Sequence, residues 1–264
     1  MEPKSQLTFL GSSDSQGVPR WWCNCEVCVE ARDSGLNART RPSVLLESES
    51  ANILIDASPE FRIQVTRENV SHLETVLITH AHNDHILGLG DVLDYLRWEG
   101  ANTQFFAPAS VLPQLEKRFE YAFKGKYASQ FHVMPEILEL HGWNVTAFEV
   151  PHGFNGTANA FKLQRDGKTL VYCSDSIGLS DLILEQHFQN LELLILGTSF
   201  WDESSAAYSS RSVYDVLEAL EVVKKIKPAK TIFTHLGHGV DARDAAKLPK
   251  NVMLAFDGLK LVLW

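Results

Sequence analysis

Long apolar runs are missing from this 264-residue chain, and no stretch approaches the roughly 20 residues that a bilayer-spanning helix requires. The start, Met1-Glu2-Pro3-Lys4-Ser5-Gln6, has neither the basic opening nor the apolar run of a secretory signal. A cytoplasmic protein with no membrane partner is therefore expected. Positive charge is also in short supply: 24 Lys and Arg stand against 33 Asp and Glu, a formal net charge of -9. That balance argues against large nucleic acids and anionic membranes as partners. It leaves room for a small anionic substrate, because bound cations reverse the sign locally. Cysteine is scarce, with only Cys23, Cys25, Cys28 and Cys173. Without secretion a disulfide framework is not expected, and three thiols within six residues point to a metal instead. No linker or low-complexity segment interrupts the chain. Residues 1–264 read as a single domain, and 45% apolar composition is ample for a core.

What is concentrated is histidine beside carboxylate. Thr79-His80-Ala81-His82-Asn83-Asp84-His85 places three imidazoles and a carboxylate within six residues. The motif follows Val76-Leu77-Ile78, a short aliphatic run that reads as a buried strand. Apolar residues resume at Ile86, Leu87, Leu89, Val92, Leu93 and Leu96 with near-helical spacing. The motif therefore sits on a strand-to-helix turn, where side chains converge beyond the strand end. Crowding four such groups is costly without a cation to pair them, and imidazole with carboxylate suits zinc, manganese or iron. His80 and His82 on one side, with Asp84 and His85 on the other, can serve two adjacent ions.

Further ligand-type residues follow other predicted strands. Residues 145–150 lead to His152, 169–173 to Asp175, and 231–234 to His235. Sites in α/β folds gather at the C-terminal ends of strands, so these residues can meet the first motif, with Asp175 as a bridging carboxylate. Two ions so held can activate a water and clamp the oxygens of a displacement at phosphorus or carbonyl carbon. Remaining strands are expected near residues 7–11, 43–47, 52–55, 105–108, 193–196, 252–256 and 259–263. One helix is expected after Ser110 as N-cap, with a stripe at Leu112, Leu115, Phe119 and Phe123. Another should start at Ser212, with Asp215 favouring its first turn, carry Val213, Val216, Leu217, Leu220 and Val223, and end with lysines that suit its dipole. The segment 124–140 reads as irregular. Trp21, Trp22, Phe200 and Trp201 read as ordinary aromatics rather than a base-stacking platform. The cluster Cys23-x-Cys25-x-x-Cys28 is a tridentate zinc nest that wants a fourth ligand. Cys173 reads as a small buried hydrophobe.

His-x-His-x-Asp-His with a later histidine, an aspartate and a final histidine resembles the metallo-β-lactamase superfamily over most of the chain. The resemblance implies an α/β fold, a four-layer αβ/βα sandwich with metals at one edge of two facing sheets. Asp56, ending the run Ile53-Leu54-Ile55, matches the superfamily's early aspartate near the metals; it reads equally as a turn residue after a strand. Gly17-Val18-Pro19 followed by the three cysteines resembles, more narrowly, the PhnP-type cyclic phosphodiesterases. That likeness implies His238, three residues past His235, as fourth ligand of one structural zinc. It implies His80, His82 and His152 on one catalytic divalent ion (manganese or zinc) and Asp84, His85 and His235 on the other, with Asp175 between them. Asp84 is also the candidate catalytic carboxylate, and a homodimer is implied.

One departure stands out. Where those phosphodiesterases carry a histidine that assists the leaving group, this chain has Val213. The nearby candidates are Tyr208, a weak acid, and Arg211, which suits phosphate charge but is a poor proton donor. The expected function is di-metal hydrolysis of a small phosphorylated substrate, a cyclic nucleotide or cyclic ribose phosphate, by a water activated between the ions. The missing histidine keeps a lactone or thioester substrate in view. A non-enzymatic accessory role, as for the PQQ-biosynthesis protein B relatives that share the cysteine cluster, fits less well with a complete set of seven ligands.

Overall fold

In the computed structural model, which describes residues 5–48, 51–125 and 127–264, alternating side chains build two seven-stranded sheets. The opening residues Met1–Lys4, on which part of the signal-peptide reading rests, lie outside the described residues. The first sheet takes β1 (Gln6–Gly11), β2 (Ser43–Glu47), β3 (Asn52–Ile55), β4 (Thr75–Leu77), β5 (Gln104–Ala107) and β6 (Phe131–Val133) in spatial order. The second takes β7 (Leu138–Leu140), β8 (Trp143–Pro151), β9 (Thr157–Arg165), β10 (Lys168–Cys173), β11 (Leu193–Gly197), β12 (Lys230–Thr234) and β13 (Val252–Leu254). The final strand, β14 (Lys260–Val262), returns to pair antiparallel with β1. Strands β3 to β6 run parallel, as do β10 to β13.

The period of two along each strand sorts side chains into three apolar layers. Leu7, Phe9, Val44, Leu46 and Ile55 face Trp143, Phe161, Leu170, Tyr172 and Ile195 between the sheets. Their neighbours Leu45, Leu54 and Val76 face outward to the helices α2 (Phe61–Arg67) and α4 (Leu89–Glu99). Val171, Cys173 and Leu194 face outward from the second sheet to α7 (Asp181–His187) and α8 (Val216–Ile226). The order helix, sheet, sheet, helix is the expected four-layer sandwich. The remaining helices are α1 (Glu26–Asp33), α3 (Asn83–Ile86), α5 (Leu112–Arg118) and α6 (Glu120–Phe123).

Several boundaries differ from the sequence reading. Ser110 caps nothing: α5 starts after Val111, with Pro113 in its first turn, and the chain breaks at Phe119 before α6. Proline belongs in a first turn because its missing N–H has no intrahelical partner there. The second expected helix starts not at Ser212 but after Asp215, whose side chain accepts from Glu218 N at 2.8 Å in a capping box. Residues 127–140, expected to be irregular, contain β6 and β7; Lys126 of that segment lies outside the described residues. The nine-residue strand β9 was not anticipated, nor were α1, α2 and α7. No helix among the described residues is long and apolar enough to cross a membrane.

Candidate metal centre

The parallel strands β4, β10 and β12 and the long β8 all point their C-terminal ends at one edge of the sandwich, and each delivers ligand-type side chains there. Thr79–His85 follows β4, His152 follows β8, Asp175 follows β10 and His235 follows β12. Three groupings of close donor atoms result: His80, His82 and His152; His80, His85 and Asp175; Asp84, His85 and His235. Asp175 lies between the two halves, with Oδ2 3.2 Å from His85 Nε2 and Oδ1 3.2 Å from His235 Nε2 and 3.7 Å from His152 Nε2. The side chains at positions 80, 84, 85, 152, 175 and 235 are buried, and His82 is half-buried at the mouth.

Hydrogen bonds behind these residues set their tautomers. His85 Nδ1 donates to Asp56 Oδ2 at 2.7 Å, and His152 Nδ1 donates to the Ser212 carbonyl at 2.7 Å. Each bond turns an Nε2 toward the centre, the atom that would face a cation. Asp56 is fully buried and takes two further bonds, from Thr79 N and Thr79 Oγ1, each at 2.8 Å. It follows β3 directly and joins that strand's end to Thr79 and His85 of the histidine turn. Thr79, which the sequence reading quoted without a role, also bonds His80 Nδ1 at 2.9 Å. Asn159 of β9 donates to the Thr79 carbonyl at 2.9 Å and so ties the second sheet to the histidine turn.

The fit to metal ions can be judged from what these atoms lack. His85 Nε2, both ring nitrogens of His235 and Asp175 Oδ2 are buried without hydrogen-bond partners. His85 Nε2 and Asp175 Oδ2 approach to 3.2 Å without hydrogen-bond alignment, as expected of donors aimed at a common point. Buried polar atoms left in this state are costly, and a cation removes the cost. Electrostatics agree. Burial and neighbouring imidazoles push His80 and His82 below the ordinary histidine range, which keeps them neutral and able to ligate. Burial would raise the carboxyls of Asp84 and Asp175, but His85 and His235 outweigh it and hold both well below the usual range. Burial likewise opposes charge on His85, yet Asp84, Asp175 and Asp56 hold it well above the ordinary value. The pocket is built for positive charge among carboxylates.

A second cluster lies beside the first. His238 Nδ1 faces the Sγ atoms of Cys23, Cys25 and Cys28 at 3.3, 3.5 and 3.6 Å. Zinc with Zn–S of ~2.3 Å and Zn–N of ~2.1 Å has a tetrahedral S···N edge of roughly 3.5 Å, so this donor set fits a closed structural site. Cys173 lies far from it in chain and role: it is buried in the outer core, and burial pushes its thiol up to about 12.

The two residues expected to replace the missing histidine are placed elsewhere. Arg211 is buried with its guanidinium bonded to Glu203, Asp215 and Glu218 at 2.6–3.3 Å. Those carboxylates spend its charge on holding the start of α8. Tyr208 is 57% exposed, and its hydroxyl lies against Gly178 rather than on the cleft wall. Of the aromatics, Phe200 lines the cleft, Trp201 packs against the outer core, and Trp21 and Trp22 are exposed.

The cleft above the buried ligands has a volume of about 590 Å³ and a mostly polar wall. Its carboxylates are Asp14, Asp84, Asp175 and Glu203, and its arginines are Arg20, Arg118 and Arg211. The carboxylates exceed the arginines by one, and two divalent cations would make the wall net positive. Arg20 pairs with Asp14 at 2.9 Å and reaches His238 Nε2 at 2.8 Å, linking the cysteine cluster to the cleft. Neither Arg20 nor Arg118 was singled out from sequence, where a lone arginine carries no signal.

Two facing mixed sheets with helices outside and ligand-bearing loops at one edge define a metallo-β-lactamase fold. The chain belongs to the beta-lactamase superfamily, whose domain profile matches residues 51–236. In structure it is similar to a diphosphatase of the PhnP family, at 29% identity and a TM-score of 0.84 over 98% of this chain and 97% of that one. The fold is shared with zinc-bound PqqB from Methylobacterium extorquens, at 19% identity and a TM-score of 0.79 over 97% and 99% of the two chains. In sequence it is 25% identical over 267 residues to an octanoyltransferase of Porphyromonas gingivalis. That alignment takes in 97% of this chain but only 51% of the relative, so the chain spans about half the relative's length. The superfamily points to a hydrolase, and its fold implies divalent metal ions.

Proposed function

We propose that the protein is a di-metal hydrolase acting at an anionic phosphoryl centre, with phosphodiesters such as cyclic nucleotides or cyclic ribose phosphates as substrates. The observation that carries this reading is the complete ligand set: His80, His82, Asp84, His85, His152, Asp175 and His235 converge at one cleft. Two divalent ions bound there would lower the pKa of a water and neutralise charge on the reacting phosphoryl group. The chain's own residues do the rest. Asp56 and the Ser212 carbonyl hold His85 and His152 in one tautomer. Asp84 and Asp175, kept ionised by the neighbouring imidazoles, hold negative charge where cations are required. The polar wall admits an ionic substrate. Likeness to a PhnP-family diphosphatase supports phosphoryl chemistry over hydrolysis of a lactone or thioester.

The test is turnover of bis(p-nitrophenyl) phosphate and of cyclic nucleotides by manganese- or zinc-loaded protein, with Asp84→Ala and a chelator as controls. Turnover that disappears in both controls supports the reading. Silence on every phosphodiester, with metals confirmed in place, overturns it in favour of a carbonyl substrate. A preparation that retains only the Cys23, Cys25, Cys28 and His238 ion would favour an accessory protein.

A further inference from the structure

A second cavity adjoins the metal centre. It measures about 240 Å³ and meets the main cleft at His82 and Asn155, which line both. Ser110 and Gln114 reach it from the loop into α5 and that helix's first turn, and Thr157 and Asn159 from β9. Among the described residues, its wall holds no Asp, Glu, Lys or Arg. The main cleft, by contrast, is lined by four carboxylates and three arginines.

Hydrogen bonds around this pocket fix which atoms it can offer. Gln114 Nε2 donates to the Ser110 carbonyl at 3.0 Å, and Asn159 Nδ2 donates to the Thr79 carbonyl at 2.9 Å. A carbonyl only accepts, so neither amide can be turned the other way round. Each keeps an oxygen that no donor among the described residues reaches. Thr157 Oγ1 spends its proton on Glu149 Oε2 at 3.3 Å, so it too can only accept further. Asn155 sits on a fixed turn: its N–H bonds the His152 carbonyl at 3.0 Å, and the Phe154 N–H bonds the Arg211 carbonyl at 2.9 Å. Its side-chain amide lies 3.3 Å from His152 Nε2, at the join of the pocket and the metal centre.

Neutral acceptors of this kind call for a ligand that donates. A phosphodiester or carboxylate brings only acceptors and finds no cation on this wall. An ammonium group finds no carboxylate. A nucleobase finds no aromatic face to stack on besides the ligand imidazoles. A hydroxyl donates and accepts at once, which matches amide and hydroxyl neighbours. We infer that this pocket is a substrate subsite for a neutral, hydroxyl-bearing group, a sugar or polyol esterified to the phosphoryl centre, with Gln114, Asn155 and Asn159 as its specificity residues. The inference rests on the phosphoryl-hydrolase reading above and adds what the substrate must carry beside the metals.

The test uses two p-nitrophenyl phosphodiesters that share charge, leaving group and a five-membered ring. One is the ester of anhydroribitol through its primary hydroxyl, which keeps its ring hydroxyls free. The other is the ester of tetrahydrofurfuryl alcohol, which has no ring hydroxyl. Manganese-loaded protein should turn over the hydroxylated ester with about tenfold higher kcat/KM, the scale of one or two neutral hydrogen bonds. Gln114→Leu and Asn155→Leu should each lower kcat/KM more on the hydroxylated ester than on the plain one, bringing the ratio toward unity. Calorimetric titration with the two product monoesters should show the same order in Kd, and the variants should lose it. Equal kcat/KM on the two esters, equal affinity for the two monoesters, or equal losses in the variants would overturn the inference and leave the broader reading standing. Silence on both esters, with metals confirmed in place, would overturn the two together.

Discussion

Asp56 shows how much one buried side chain can settle. Its backbone sits in the left-handed region at φ 61°, which aspartate and asparagine tolerate better than most residues. Both carboxylate oxygens are used, one by Thr79 N and the other by Thr79 Oγ1 and His85 Nδ1. The sequence left it open between a turn residue and a support for the metals, because position after a strand is common to both. Asp56→Asn keeps size and backbone preference but removes the anionic acceptor for His85. Catalytic metal affinity should fall about 10–100-fold, the usual cost of losing such a support, as read by competition with a chromogenic chelator. Affinity equal to wild type would reduce Asp56 to a turn residue.

Elements were legible where their pattern was long or their residues chemically distinctive. The ligand-bearing strand ends could be found because each aliphatic run stops at a histidine or aspartate. Strand β9 was not found: Thr157-Ala-Asn-Ala-Phe-Lys-Leu-Gln-Arg165 mixes small and polar residues, and few large side chains mark its core face. Helices α1, α2 and α7 have only seven or eight residues, too few to display a clear stripe. Ser212 resembles a helix start by composition, but its carbonyl is committed to His152, and the helix waits for Asp215. One close approach between elements yields a sharp expectation. A Cβ at Gly197, the last residue of β11, would lie 1.7 Å from the backbone oxygen of Ser174, next to Asp175. Backbone cannot swing aside as a side chain can, so Gly197→Ala should cost about 3 kcal/mol of stability and lower metal occupancy. Urea denaturation with metal analysis checks this, and an unaltered midpoint would contradict it.

At the scale of the whole molecule, the metal centre is where the two sheets meet, because β4 belongs to one and β8, β10 and β12 to the other. Bound ions would therefore add to the stability of the sandwich as well as to chemistry. Ions present at a thousandfold over their Kd stabilise the folded state by about 4 kcal/mol, or roughly 10 °C in melting temperature for a chain of this size. Removing metal with a chelator should lower the calorimetric transition by that order. In Cys28→Ser, which disables the second cluster alone, part of the shift should persist. No shift on chelation would mean that the ligand groups do not hold ions in the folded protein.

The pairing of β14 with β1 has a consequence for how this unit can be joined to others. Gln6 lies opposite Val262, so both ends of the described fold emerge side by side. From there β1 runs six residues, about 20 Å at strand rise, before its loop reaches Asp14 on the cleft wall. A polypeptide attached at either end thus leaves from the pole opposite the cleft. The sandwich can be carried as a module, in tandem with another domain or on a tether, with its reactive face left open to solvent.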